Sequence, residues 1–247
     1  MADKVQLKNA AVSLLTGVEK VSSFAATINP FISIVTSMVR LAKKGLKDDL
    51  ATAEKQKIDE DFSAIRTKLD IISQTNQTIL SQMLLNEVNE TYGKYEENIK
   101  HQYSALTEMM EQIKKNPDNS QRHMEEFKKT FNEDKVNDSL KVFYGGITNK
   151  QLFGRPLLEV YYKHCDGNRT IMEARCSHLI HLFHMGLMAL ITYTAVTEGD
   201  EDEVKNDWEG KLEEIEDKMS WESVSKTESE VQFSKYWANY RGCNFLS

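Results

Sequence analysis

Cys176-Ser177-His178-Leu179-Ile180-His181-Leu182-Phe183-His184-Met185-Gly186-Leu187-Met188-Ala189-Leu190-Ile191-Thr192-Tyr193-Thr194-Ala195-Val196-Thr197 contains no Asp, Glu, Lys or Arg. Wound as a helix, the stretch carries apolar residues on every side and has no solvated face. Such a helix is either sheathed by other helices or able to enter a bilayer. A membrane span needs about 18 or more predominantly apolar residues. The histidines and hydroxyls here leave the run on that border.

The flanks frame this helix. Upstream, Asp166-Gly167-Asn168 is a turn, so the helix begins near Arg169. Before the turn, Pro156 opens a short helix, Leu157 to His164. Residues 142–156 break the helical pattern, with Gly145-Gly146 and Gly154 as turn signals. Downstream, Glu198-Gly199-Asp200-Glu201-Asp202-Glu203 ends the apolar run and starts a further helix over 201–225. Beyond it, the tail 228–241 sets Phe233, Tyr236, Trp237 and Tyr240 on one face. That face either docks on the core or anchors at a membrane interface.

Nearer the start, residues 3–20 read as an amphipathic helix. Residues 21–39 form a second uncharged run, interrupted at Asn29-Pro30 and closed by Arg40, Lys43, Lys44 and Lys47. An uncharged run ended by a basic cluster suits contact with anionic lipid headgroups. The alternative is a buried helix whose basic residues complement its C-terminus.

Residues 54–115 read as one very long helix, spanning roughly 90 Å at 1.5 Å per residue. Ile58, Phe62, Ile65, Leu69, Ile72, Asn76, Ile79 and Met83 alternate at spacings of four and three. Asn76 is the single polar member of this heptad seam and of the kind that fixes register. After Leu84-Leu85 the seam resumes out of phase through Val88, Tyr92, Tyr95, Ile99, Leu106, Met109 and Ile113. The slip predicts a stutter, with a bend near Gly93. Asn116-Pro117-Asp118 ends the helix, and residues 119–141 form another.

The composition agrees with helices throughout. Only 11 Gly and 3 Pro occur in 247 residues, and both weaken helix interiors. The net charge of −7 argues against a general nucleic-acid binder, which carries a basic face. Acidic residues concentrate over 198–217, where Asp207, Glu209, Glu213, Glu214, Glu216 and Asp217 join the acids from Glu198 to Glu203. Cys165, Cys176 and Cys243 are too few and too irregular for a disulfide framework. With the charged opening Met1-Ala2-Asp3-Lys4 they set the expectation of reduced thiols in the cytoplasm.

His178, His181 and His184 are the candidate pH-sensing residues. Helical metal pairs favour spacings of four, whereas these lie three apart, and the outer two stand about 120° apart around the axis. No metal and no cofactor is therefore expected. Burial would depress their pKa values below about 6.5. An acidic neighbour from Glu198–Glu203 or Glu173 would raise them instead. No nucleophile elbow, Walker loop or dinucleotide fingerprint occurs, and Glu159 with Glu173 does not make a credible acid pair. The chain is not expected to be an enzyme.

Phe153-Gly154-Arg155-Pro156-Leu157-Leu158-Glu159-Val160-Tyr161, then His164-Cys165-Asp166, then 176–203, carry a family resemblance. Residues 86–97 and Ile99-Lys100-His101-Gln102-Tyr103 add to it. Together they resemble the rapunzel family of bony fish over roughly residues 1–220; the aromatic tail matches least. The resemblance implies a non-enzymatic protein tied to fin and skeletal development, with immune signalling among relatives, and no catalytic residues. A long helix beside sheltered uncharged segments is also similar in architecture to α-helical pore-forming toxins, although fold does not fix function.

The reading is an all-α, elongated helical bundle, a single domain over 1–247, cytoplasmic at rest. It acts as a regulatory interaction protein. The rival reading is a membrane-active protein that inserts 21–39 and 176–197, with Arg40, Lys43, Lys44 and Lys47 as first lipid contacts. The residues name no protein partner and fix no oligomeric state.

Overall fold

The heptad seam, the capping residues and the uncharged stretch each become a helix in the computed structural model, which describes residues 49–80, 86–150, 155–165 and 168–219. The helices are α1 (Asp49–Leu80), α2 (Asn86–Lys115), α3 (Ser120–Asp134), α4 (Val136–Thr148), α5 (Leu157–His164), α6 (Arg169–Val196) and α7 (Glu201–Met219). A 3₁₀ turn, Pro117–Asn119, links α2 to α3. No strand occurs among the described residues. Residues 1–48 and 220–247 lie outside them. With them lie the expected helix 3–20, the uncharged run 21–39, the Arg40–Lys47 cluster and the aromatic tail.

The apolar helix α6 is the axis of the fold. It packs against α1, α2, α3, α4, α5 and α7. The seams predicted for α1 and α2 supply much of the sheath. On α1, Leu69 and Asn76 are buried and Ile72 is half-buried. On α2, Tyr92, Ile99, Leu106, Met109 and Ile113 are buried, joined by Gln102 and Tyr103. Each fully buried aliphatic side chain contributes roughly 1.5–3 kcal/mol. The Asn76 amide donates to Ser177 Oγ of α6 at 3.3 Å. The polar insertion in the seam thus meets a polar partner and defines one register between the two helices.

One very long helix over 54–115 is not what forms. Arg66 Nη1 of α1 lies 2.6 Å from Glu111 Oε1 of α2. In an unbroken helix, 45 residues at 1.5 Å would hold them about 70 Å apart. The chain doubles back between Leu80 and Asn86. The out-of-phase seam from Val88 onward belongs to a second helix, α2, and is not a stutter within one. Helix α2 runs through Gly93.

Two further boundaries differ from expectation. The helix predicted over 119–141 is divided at Lys135, whose φ of 50° and ψ of 50° are left-handed. A non-glycine residue in that region costs about 1–2 kcal/mol, so no local signal marked the break. Asp134 beside it accepts from Gln102 Nε2 at 2.6 Å and contacts His101 Nδ1 at 2.6 Å. These contacts tie the end of α3 to α2. Conversely, Gly145-Gly146 is not a turn. Both lie inside α4, which ends three residues later at left-handed Asn149. A methyl group on Gly146 would overlap the Tyr92 hydroxyl, and one on Gly186 would sit 2.6 Å from Leu140 Cδ2. These glycines are where α4 approaches α2 and α6 most closely, a use of glycine that sequence alone does not separate from a turn.

Candidate functional site

Helix α6 starts cleanly because the Asn168 side chain accepts the Ile171 N–H at 3.3 Å. It ends at Val196, and Glu198 with φ 59° redirects the chain into α7. Between these points Thr170–Val196 is long and apolar enough to cross a membrane, and 94 % of its most apolar stretch is buried within the bundle. Leu179, Met188 and Ala189 are fully enclosed. One buried hydroxyl in this interior bonds to its own helix, whereas that of Thr192 has no partner among the described residues. Thr194 donates to Leu190 O at 3.0 Å.

The three histidines face different surroundings, as their spacing requires. His178 turns to α2, with Nε2 3.1 Å from Glu96 Oε1. His184 is wholly buried and its Nδ1 lies 2.9 Å from Ile180 O. His181 sits between them, 3 % exposed, and its Nδ1 has no hydrogen-bond partner. Burial pushes His184 down to about 4 against the opposing pull of the Ile180 carbonyl. Burial also takes His181 down to about 3. The charges of His178, His184 and Lys100 act in the same direction and Glu96 opposes them. Both rings are therefore neutral at pH 7.

Burial alone would raise the Glu96 carboxyl, but hydrogen bonds and charge from His178 and Lys100 bring it down to about 2. Lys100 reaches it along one helical turn of α2. Glu96 is the functional-site residue that sequence reasoning missed. The acid that approaches the stripe comes from α2, not from Glu173 or the 198–203 cluster. Its signal was present in the i,i+4 pair with Lys100, one position after the seam residue Tyr95.

Other candidate chemistry in the core is quiet. Cys165 and Cys176 are buried and not joined in a disulfide, and Cys165 Sγ donates to Tyr162 O at 3.1 Å. Burial pushes Cys176 up to about 12, with Glu173 and Cys165 adding to the effect, so it is held as an unreactive thiol. Among the described residues no group of three or more His, Cys, Asp or Glu has the geometry to hold a metal ion. A half-open cleft of about 320 Å³ lies between α2 and α3, lined by Met109, Phe127, His123, Glu108 and Glu126 among others. No motif pointed to it. Arg40, Lys43, Lys44 and Lys47 lie outside the described residues.

The geometry agrees with what comparison finds. A family model described as a cephalotoxin-like middle helical domain matches residues 50–234. The chain is 33 % identical over 218 residues to Protein rapunzel of Danio rerio, covering 88 % of this chain and 93 % of that protein. No solved structure matches.

Proposed function

This chain belongs to the rapunzel family and shares the cephalotoxin-like middle helical domain. From that premise we propose that it is a non-enzymatic regulatory protein, cytoplasmic at rest, which binds protein partners through the outer faces of its sheath helices. Fin and skeletal development, with immune signalling, is the setting that the resemblance implies. The observation that carries the reading is the near-complete enclosure of the apolar stretch of α6, 94 % of which is buried within the bundle. An apolar helix whose sides are all covered by its own chain is the core of a bundle that remains folded while its surface works. The buried neutral histidines and the unreactive Cys176 are consistent with a structural interior.

A second reading is supported by the length of the same helix. Thr170–Val196 suffices for a bilayer span, and the matching family model is described as toxin-like. Here the bundle is a soluble store for a membrane-active segment.

Co-sedimentation and dye release with neutral and anionic vesicles, at pH 7 and pH 5, separate the two. The regulatory reading expects neither binding nor release under any of the four conditions. Release of dye at either pH overturns it in favour of the second. A photo-crosslinker at exposed Lys129 of α3 or Glu213 of α7 provides the positive arm. Discrete protein adducts in cells support the regulatory reading, and their absence at both positions counts against it.

A further inference from the structure

Helix α7 is attached to the bundle differently from the helices around it. It packs on α4 and α6 through a single seam, Trp208, Leu212, Ile215 and Met219, all buried. Trp208 meets Phe183 of α6 with ring centroids 6.0 Å apart. On the other side of the seam stands one polar clasp. Glu214 Oε2 accepts from Tyr144 Oη of α4 at 2.5 Å and from Lys150 Nζ at 2.6 Å. Lys150 also lies over the Tyr144 ring, 5.0 Å from its centroid.

The N-terminal end of α7 is provided for locally. Asp200 caps the helix by accepting the N–H groups of Asp202 and Glu203 at 3.0 and 3.1 Å. Lys211 pairs with Asp207 one turn away. A helix that carries its own cap does not depend on the bundle to satisfy its first turn. The outer face is crowded with acids, and Glu209, Glu213 and Asp217 follow at spacings of four, which sets like charges side by side. A short link, Thr197–Asp200 with Glu198 at φ 59°, joins α7 to α6, and its Gly199 N–H bonds back to Thr194 O at 2.9 Å.

We propose that α7 is a releasable strap: it detaches from α4 and α6 as one unit while α2 and α6 keep their structure, and in doing so it uncovers the side of α6 around Phe183. The strap makes the enclosure of α6 conditional. Among the described residues, the buried Trp208, Leu212, Ile215 and Met219, the half-buried Val204 and the Glu214 clasp stand between the sealed bundle and an exposed apolar face. Its consequence for lipid rests on the membrane reading above; the strap itself does not.

Hydrogen exchange by mass spectrometry on the full chain, with mild denaturant added in steps, tests it. Amides of 204–219 are expected to exchange through a shared opening at least about tenfold more frequent than the opening that exposes α2 and α6. Replacing the clasp by Tyr144→Phe with Lys150→Met removes hydrogen bonds to a charged group and should raise the α7 opening about tenfold, leaving α2 protection unchanged. Exchange of α7 and α6 in a single common step overturns the proposal. So does a clasp variant that loosens α2 and α6 as much as α7. Vesicle binding by the clasp variant is measured in parallel. A strap that opens without vesicle binding sustains this inference and overturns the membrane reading, so the two fail separately.

Discussion

Helices α6 and α7 are neighbours in sequence and opposites in composition. From Cys176 to Val196 α6 has no charged side chain, whereas α7 carries acids on all but its inner seam. The apolar stretch of the first is 94 % buried, and the second packs on the bundle along one seam. The difference teaches which helix can be altered without consequence. In α6 nearly every position from Leu179 to Val196 is a core position, Tyr193 alone being half-buried, because the wheel offers almost no solvated direction. In α7 only Trp208, Leu212, Ile215 and Met219 are buried among the described residues, and the fold relies on them.

The same substitution placed in each helix gives the largest contrast. Met188 is fully buried in α6. Met188→Lys places an ammonium there with no designed partner, and burying an unpaired charge is among the few changes that cost more than about 4 kcal/mol. The variant is expected to unfold or to be recovered only as aggregate. A soluble Met188→Lys protein melting within a few degrees of the parent would show that α6 has a solvated face after all.

Acid is the next test of the enclosure. His181 and His184 are held at about 3 and about 4, below their ordinary 6.5. The folded state therefore binds fewer protons than the unfolded state between those limits. The neutral rings support the fold fully above the unfolded pKa, and the support is lost as pH falls below about 6.5 towards the folded values. Between pH 7 and pH 5 this amounts to about 2 kcal/mol per histidine. Glu96 adds a later step of the usual carboxylate sign. Its support is present above its ordinary 4.5 and lost as pH falls towards about 2. Melting temperature should fall by roughly 10 °C from pH 7 to pH 5. A folded His181→Gln, His184→Gln variant should lose most of that dependence. Equal pH profiles for parent and variant would assign the acid response to other groups.

Close helix contacts come third. Gly146→Ala would force a methyl into the Tyr92 hydroxyl at the α4–α2 crossing, and overpacking of this kind costs about 1–3 kcal/mol. Chemical denaturation should show a lower midpoint with an unchanged slope. A neutral result would mean that Tyr92 moves aside without loss, and that the glycine is not there for packing.

Legibility in the sequence follows the same contrast. Helix was readable in α1 and α2 from apolar spacing, though as one helix, and in α6 from its want of charge, because each of these patterns is local to the chain. Pro156 and Asn168 were readable as helix starts because capping is local. The reversal between α1 and α2 left only a phase slip, since a hairpin and a stutter disturb a heptad in the same way. Lys135 gave no sign, because a left-handed lysine is chosen by the contacts of Asp134 across to α2. The direction of the shift that burial imposes was readable for His181 and His184, whereas His178 turns to Glu96. Glu96 was not tied to the histidine stripe, because 82 residues separate it from His178 and only the packing of α2 on α6 brings them together.

The smallest expected effect is the counterpart of the first. Glu213 is exposed on the outer face of α7, one turn from Glu209 and one turn from Asp217. Glu213→Lys converts two like-charge neighbours into two attractive ones, at a few tenths of a kcal/mol each. The residue inserted is the one that destroys α6 at position 188, and here it is expected to raise the melting temperature slightly, by about 1–3 °C at low salt. Salt should erase the gain, since charges on an open surface are screened over about 10 Å at 0.1 M. A destabilised Glu213→Lys protein would mean that this acid meets a cation elsewhere in the chain. The outer face of α7 would then be an internal contact, and its distinction from α6 a matter of degree. A gain that persists in high salt would place the effect in helix propensity, leaving the charge crowding of α7 without a measurable role.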